Sequence, residues 1–325
     1  MARKRIIYQS ESVEINSKSL TGAHPSGITV NGVQSVSYGI DISREDLQQY
    51  GDLGAFDRIV LEAPTANAEM TFHVNGVNPP VLNSVVHDAI AGNNCEIRFA
   101  LDPTEGQDYA TGASSSIVGL KGASLTSFSA EASVGSIPTM TMGFEGTDLE
   151  YTTSNALGGA SGVGAPSGTV NIAVPSTVNV DLTNCNTSNT HYTHTQSANL
   201  SFDLGVEGLQ ALGLTSSSDR FQYARVPSYP ASASLTVEAL AVDKGMSIQL
   251  ANLKQKGSAG GTTESLGGKV NINVTMGSTR FKLVNATLDS VSFTSSIGDN
   301  ATCDATFGVS IGSPTSPSTI NIIGV

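Results

Sequence analysis

Five histidines (His24, His73, His87, His191 and His194) and three cysteines (Cys95, Cys185 and Cys303) are the side chains best suited to acid–base, nucleophilic or metal chemistry. A histidine base needs a nucleophile or carboxylate within hydrogen-bond reach. The local signatures that place such partners, GxSxG, HExxH, GxGxxG and the P-loop, do not occur. The densest cluster is CNTSNTHYTHT, holding Cys185, His191 and His194. Zinc wants three or four converging ligands. His191 and His194, three apart on a strand, would project from opposite faces. A Ser/Thr-rich surface segment is the preferred reading. Glu45-Asp46 and the run Asp102, Glu105, Asp108 are the acidic candidates, but their spacing lacks the EF-hand pattern, which leaves a solvated acidic loop. His73 and His87 fall on a strand and a helix and read as satisfied or solvated side chains. The cysteines are odd in number, far apart and without a CxxC, so no disulfide framework is expected and a reducing compartment suits the chain. Asn-x-Ser/Thr triplets such as Asn273-Val274-Thr275 and Asn285-Ala286-Thr287 matter only in a secreted protein. No catalytic, cofactor-binding or metal-ligating residue is assigned, and the chain is expected not to be an enzyme.

The elements that would carry any function are mainly strands. Ser and Thr fill more than a fifth of the 325 residues, charged residues only 14%, and Trp is absent. Small polar residues among Val, Ile and Thr predict many strands and turns rather than a helical bundle or a disordered chain. Met70, Phe72 and Val74 alternate with polar residues, as do Val178, Val180 and Leu182, and Val270, Ile272, Val274 and Met276. A period of two puts one face of each strand in a core. Asn31-Gly32 and Asn75-Gly76 mark turns. One helix is predicted in PPVLNSVVHDAIAG, where Leu82, Val85, Val86, Ala89 and Ile90 form a single stripe between Pro80 and Gly92. GMSIQLANLKQKG (245–257) is its expected counterpart.

That counterpart belongs to an internal repeat. Residues 123–146 align without a gap on 286–309, an offset of 163, with eight of 24 positions identical, among them Leu125/Leu288, Gly135/Gly298 and Phe144/Phe307. VSYGIDIS (36–43) faces LSFDLGVE (200–207) at an offset of 164, and AEMTFHV (68–74) faces ASLTVEA (233–239) at 165. Three blocks in one order at half the chain length indicate a duplication. Long polar loops at 101–116 and 256–269 are read at matching places. The expectation is an all-β, mainly antiparallel chain of two tandem β-sandwiches, each with one flanking α-helix. The first spans 1–150, a Gly/Ala/Ser-rich linker 151–168 and the second 169–325.

The net charge is -12, which disfavours tight nucleic-acid binding but not a surface past which DNA slides. The first 163 residues carry 8 basic and 18 acidic side chains, so the excess sits in that half. No secretory signal and no membrane-spanning apolar run is read.

VQSVSYGIDISREDLQQYGDLGAFDRIVLEAPTANAEMTFHV (33–74), with Tyr38, Gly39 and Pro64, resembles the core segment of phage tail tube proteins, and LTSFSAEASVGSIPTMTMGFEG (125–146) resembles the last strands of that domain. LSFDLGVEGLQALG (200–213) and LDSVSFTSSIGDNATCDATFGV (288–309) repeat both elements more weakly. The resemblance implies an antiparallel sandwich with a flanking helix. Six such domains close their inner strands into a barrel, and stacked rings form the hollow tail tube through which phage DNA is ejected. Two domains in one chain imply a trimer with pseudo-sixfold symmetry, or a hexamer with the second domain elsewhere. The implied partners are other copies of the chain and tape-measure, tail completion and baseplate proteins, with a sheath protein left open. DNA crosses the lumen without tight binding, no membrane and no cofactor are involved, and the location is the virion tail, assembled in the host cytoplasm. The alternatives are another virion protein (tail terminator, baseplate hub or capsid decoration) or a secreted carbohydrate-binding or adhesin module.

Overall fold

The computed structural model describes residues 11–17, 27–51, 53–60, 64–101, 116–152, 163–166, 170–183, 190–192, 194–209, 224–240, 269–297, 300–311 and 320–324. The fold is all-β, and every strand pairing is antiparallel.

The first half runs β1 (Glu11–Ser17), β2 (Ile28–Thr29), β3 (Val33–Asp41), a hairpin of β4 (Arg44–Gln48) and β5 (Ala55–Val60), β6 (Thr65–His73), α1 (Pro79–Ile90), β7 (Cys95–Leu101), β8 (Ser116–Ser133), β9 (Thr139–Gly146) and β10 (Asp148–Thr152). Alternation makes the strands amphipathic. In β6, Ala66, Ala68, Met70 and Phe72 are buried while Asn67 and Glu69 are exposed. An inner layer, β3-β6-β9-β8, and an outer layer, β2-β1-β7-β8-β10, enclose the core. Tyr38 of β3 stacks on Phe99 of β7 between them, with ring centroids 4.6 Å apart. Strand β8 serves both layers. Its first part pairs with β7 and β10, its later part with β9, and the change comes at Gly122, whose φ is +56.

Helix α1 has the stripe the sequence predicts: Leu82, Val85, Val86, Ala89 and Ile90 are buried. It starts at Pro79-Pro80 and ends in a Schellman motif, with the Asn93 N–H on the Asp88 carbonyl at 2.8 Å and the Gly92 N–H on that of Ala89 at 3.1 Å.

The second half runs β11 (Val178–Thr183), β12 (Thr190–Tyr192), β13 (Thr195–Asp203), a hairpin of β14 (Val206–Leu209) and β15 (Ala224–Pro227), β16 (Ala231–Leu240), β17 (Val270–Met276), β18 (Thr279–Thr294), β19 (Thr302–Ile311) and β20 (Ile320–Gly324). Its layers are β13-β16-β19-β18 and β12-β11-β17-β18-β20, the same scheme strand for strand. The irregularities coincide as well. The β8–β9 ladder slips between Leu125 and Ser127, and the β18–β19 ladder between Leu288 and Ser290. The β3–β6 ladder slips at Gln34 and the β13–β16 ladder at Gln196. Gly122 has its match in Asn285 (φ +60), and Gly32 (φ +75) in His194 (φ +63). Even the side-chain bonds agree: Gln34 Nε2 donates to the Gly32 carbonyl at 3.2 Å, and Gln196 Nε2 to that of His194 at 3.3 Å. Bulges re-aim strands at defined places, so shared bulges are stronger signs of a common design than shared strands.

Two sequence-level matches shift accordingly. Gln34 and Gln196 are 162 apart, and Phe72 and Ala239, which pair beside them, are 167 apart, in place of offsets of 164 and 165. Both corrections are two residues. A strand displaced by two keeps the same side chains facing the core, so the alternation cannot report the slip. The offset of 163 for β8/β18 stands. The long loops do not match in place. Residues 102–115 join β7 to β8, whereas β17 and β18 are joined by the tight turn Gly277-Ser278, and residues 256–268 precede β17.

The predicted helix at 245–257 lies outside the described residues, as do most of 101–116, 256–269 and the linker. Of the linker, Gly164 is held against β1: its carbonyl accepts from Ser12 Oγ at 2.7 Å and its N–H donates to Glu14 at 3.3 Å.

Gly122→Val should destabilise the chain by about 1–2 kcal/mol from the left-handed backbone alone, and further because the new Cβ would stand 2.9 Å from Thr147 Oγ1. Asn285→Gly should be neutral in a thermal melt. Equal tolerance at both positions would contradict the bend.

Candidate functional site

The inner layers of the two halves are one sheet. Residues 127–133 of β8 pair with 197–203 of β13, with Phe128 opposite Phe202 and Ala130 opposite Leu200, giving the order β3-β6-β9-β8-β13-β16-β19-β18. One face is apolar and buried: Met70, Phe72, Met142, Phe144, Phe128, Leu200, Phe202, Leu235, Val237, Ala305 and Phe307. The register places Asp41, Glu69, Glu131, Glu145, Asp203, Glu238 and Asp304 on the other face, among Ser, Thr, Asn and Gly. Among the described residues these eight strands themselves present no Lys or Arg on that face, but Arg225 of hairpin β14–β15 reaches Glu145 there and Lys269 lies beside Ser234 and Ser310. The carboxylates these strands carry on that face outnumber the cations that reach it, so the face is acidic on balance.

Several contacts tie the seam between halves. The Leu204 N–H donates to the Thr126 carbonyl at 2.8 Å and the Val134 N–H to that of Gln196 at 2.9 Å. Hairpin β14–β15 folds back across the seam, where the buried Arg225 pairs with Glu145 of β9 and Tyr229 Oη donates to the Ile90 carbonyl. Helix α1 also lies against β20 of the other half. Asn83 Oδ1 accepts from the Ile322 N–H at 2.8 Å, and His87 Nε2 is 3.0 Å from the Ile320 carbonyl. Phe128 faces Phe281 of the second half's outer layer, 6.1 Å between centroids, so the core is continuous across the seam.

At its two ends the sheet is open. Among the described residues β3 pairs only with β6, and the later part of β18 only with β19. These edges expose apolar side chains that the seam buries: Phe293 is 53% exposed and Ile40 37%, against 2% for Phe128 and Phe202. Hairpin β4–β5 projects with Tyr50 and Leu53 fully exposed, and among the described residues Arg58 on it pairs with the exposed Asp46 at 3.1 Å.

The residues considered for chemistry do not converge. His24, Cys185, Asp102, Glu105 and Asp108 lie outside the described residues. His191 is on β12, whereas His194 is not on a strand at all. It occupies the left-handed turn before β13, which removes the shared-strand geometry expected of the pair. Among the described residues no group of His, Cys, Asp and Glu is arranged to hold a metal. Cys95 and Cys303 are buried and free, and burial pushes the Cys95 thiol up to about 12. A buried ion pair that composition did not announce joins Glu14 to Arg98 at 3.4 Å in the outer layer. Burial raises the Glu14 carboxyl, against the Gly164 N–H, the Arg98 charge and the Gly27 N–H, which lower it. This pair pins β1 to β7 and the linker, away from the polar face.

No family model and no curated protein matches the chain. Among solved structures it is similar to a chain in the virion of a native gene transfer agent particle, at 11% identity over 46% of this chain and 98% of that one, TM-score 0.32. A chain in the tail of an empty gene transfer agent particle, refined helically with C6 symmetry, is similar at 12% identity over 41% and 88%, TM-score 0.29. A chain in the six-fold symmetrised baseplate of the anti-feeding prophage is similar at 11% identity over 46% and 95%, TM-score 0.32.

Removing the Glu145 carboxylate by Glu145→Ala takes its ion-pair partner from the buried Arg225 and should cost about 3 kcal/mol, the lower end for a broken buried pair because Glu145 is partly solvated. Chemical denaturation would read the loss, and an unchanged midpoint would show that the pair does not hold the seam. Cys95, protonated at pH 8 because its pKa is raised, should resist iodoacetamide until the chain unfolds. Mass spectrometry of native and denatured samples would show modification only in the latter.

Proposed function

We propose that this chain is a structural subunit of a phage tail tube, carrying two tube units in one polypeptide. The observation that carries the reading is the eight-stranded sheet: two four-strand sets in tandem, one face buried, the other acidic, and both edges open. A sheet of this kind is complete only when its edges are paired, and closure into a barrel pairs them all. The apolar face is already covered by the outer layers, so the acidic face is the one left to line a channel. Duplex DNA would pass such a wall without being held, because its carboxylates outnumber the few cations near it that could displace counterions.

The shared bulges and left-handed residues support a duplicated unit. Six units in a ring then require three chains. Heterologous contacts that close give that ring, and the same ring stacked gives a filament. The subunit works by assembly alone and needs no catalytic group or cofactor. Its partners are copies of itself and the tape-measure, tail completion and baseplate proteins. It acts in the virion tail after assembly in the host cytoplasm.

Concentrated purified protein should form filaments with a central channel and three-fold or pseudo-sixfold rings by negative-stain microscopy. A monodisperse monomer at every concentration would overturn the reading. The double variant Glu131→Lys, Asp203→Lys should still form tubes but retain duplex DNA in a mobility assay at low salt, where wild-type tubes release it. Wild-type tubes that hold DNA equally would contradict the acidic lumen.

A further inference from the structure

The seam within the chain has a second, unmade counterpart. Position by position, β8 corresponds to β18 at an offset of 163, and β3 to β13 at an offset of 162. The β8–β13 ladder can therefore be written out for the two open edges. Ser129 opposite Ser201 becomes Ser292 opposite Gly39, Ala130 opposite Leu200 becomes Phe293 opposite Tyr38, and Phe128 opposite Phe202 becomes Val291 opposite Ile40. In this register apolar residues meet apolar residues and small polar residues meet small polar residues, and the exposed Phe293 and Ile40 are both covered. A single chain cannot make this ladder, because its two edges lie at opposite ends of the sheet.

The hairpins point the same way. Gly208 pairs with Arg225 on β14–β15, and Asp46 pairs with Arg58 on β4–β5, so the two arginines are equivalent at the offset of 167 that relates β6 to β16. Arg225 crosses the internal seam to Glu145. The counterpart of Glu145 on β19 is Gly308, which carries no charge. The carboxylate of Asp289, the bulge residue of β18, lies over Gly308 in the space a side chain there would take. Asp289 and Gly308 line an open cavity of about 600 Å³ with Ser234, Thr287, Ser310 and Lys269. Lys269 is exposed. Arg225 occupies the matching place in the first half; among the described residues no arginine of the same chain reaches this one.

We infer that β18 of one copy pairs with β3 of a second copy in the register of the internal seam, and that the partner's Arg58 enters the cavity and pairs with Asp289. The inference rests on the tube reading for the ring, and adds to it which strands meet, in what register, and which charge pair locks them. Each copy would use its β18 edge for one neighbour and its β3 edge for the other.

The test is a cross-link with a staggered control. The double variant Ser292→Cys, Gly39→Cys, oxidised after assembly, should run as covalent oligomers on a non-reducing gel, with the disulfide between the two substituted positions mapped by mass spectrometry. Ser290→Cys with Ser37→Cys, four residues out of register, should not. Independently, Arg58→Asp and Asp289→Arg should each raise the concentration needed for assembly about tenfold, the effect of roughly 1.4 kcal/mol at one contact. The two together should restore it. Both sites are exposed, so circular dichroism should show all three variants folded. Cross-linking of the staggered pair alone, or a double variant no better than its singles, would overturn the inference. Filaments in which the opposed cysteines stay reduced would sink this seam and leave the tube standing. A monomer at all concentrations would sink both.

Discussion

A strand edge with no neighbour leaves a row of backbone donors and acceptors unpaired, and most of this molecule is arranged around where those edges fall. In β8 the problem is solved inside the chain. Its later part finds β9 on one side and β13 on the other, and the ladder to β13 turns two sandwiches into one sheet. Everything that crosses the seam follows from that ladder: the continuous core through Phe128 and Phe281, the docking of α1 on β20, and the return of hairpin β14–β15 with Arg225. At β3 and β18 the same requirement is unmet among the described residues, and the surface there keeps the apolar residues that a partner strand would cover.

The division of the sheet into an apolar and an acidic face is also a matter of register. A period of two lets Ala, Met, Phe and Leu fill one side while Ser, Thr, Asp and Glu take the other. The outer layers claim the first. Because β8 and β18 each bend at a left-handed residue and continue into the outer layer, the acidic face is fixed to its own cover by covalent chain rather than by packing alone.

Much of this could be read from residues. Alternation in β6 and β17, the stripe of α1 with Pro80 and Gly92 at its ends, and the block 123–146 against 286–309 all survive in the structure. What could not be read is register. From the β3/β13 offset of 162 to the β6/β16 offset of 167 the second half has five extra residues, and from there to the β8/β18 offset of 163 it has four fewer. The two changes nearly cancel, so offsets of 164 and 165 looked like one steady repeat. They hid the equivalence of Arg58 and Arg225, which emerges only once the ladders are counted. The Glu14–Arg98 pair was invisible for a different reason: its partners are 84 residues apart and meet only because β1 pairs with β7.

In the proposed annulus, the internal ladder would change how the ring nucleates. When two units are joined by chain, the contact between them forms at an effective concentration set by the tether and not by how much protein is in solution. Half of the junctions in such a six-unit ring would then be present before any subunits collide, and closure would be a three-body event. The finished wall would carry two alternating kinds of junction, one covalently spanned and one not. An axial load or a chaotrope should find the second kind first, so such a tube would come apart into intact pairs of units.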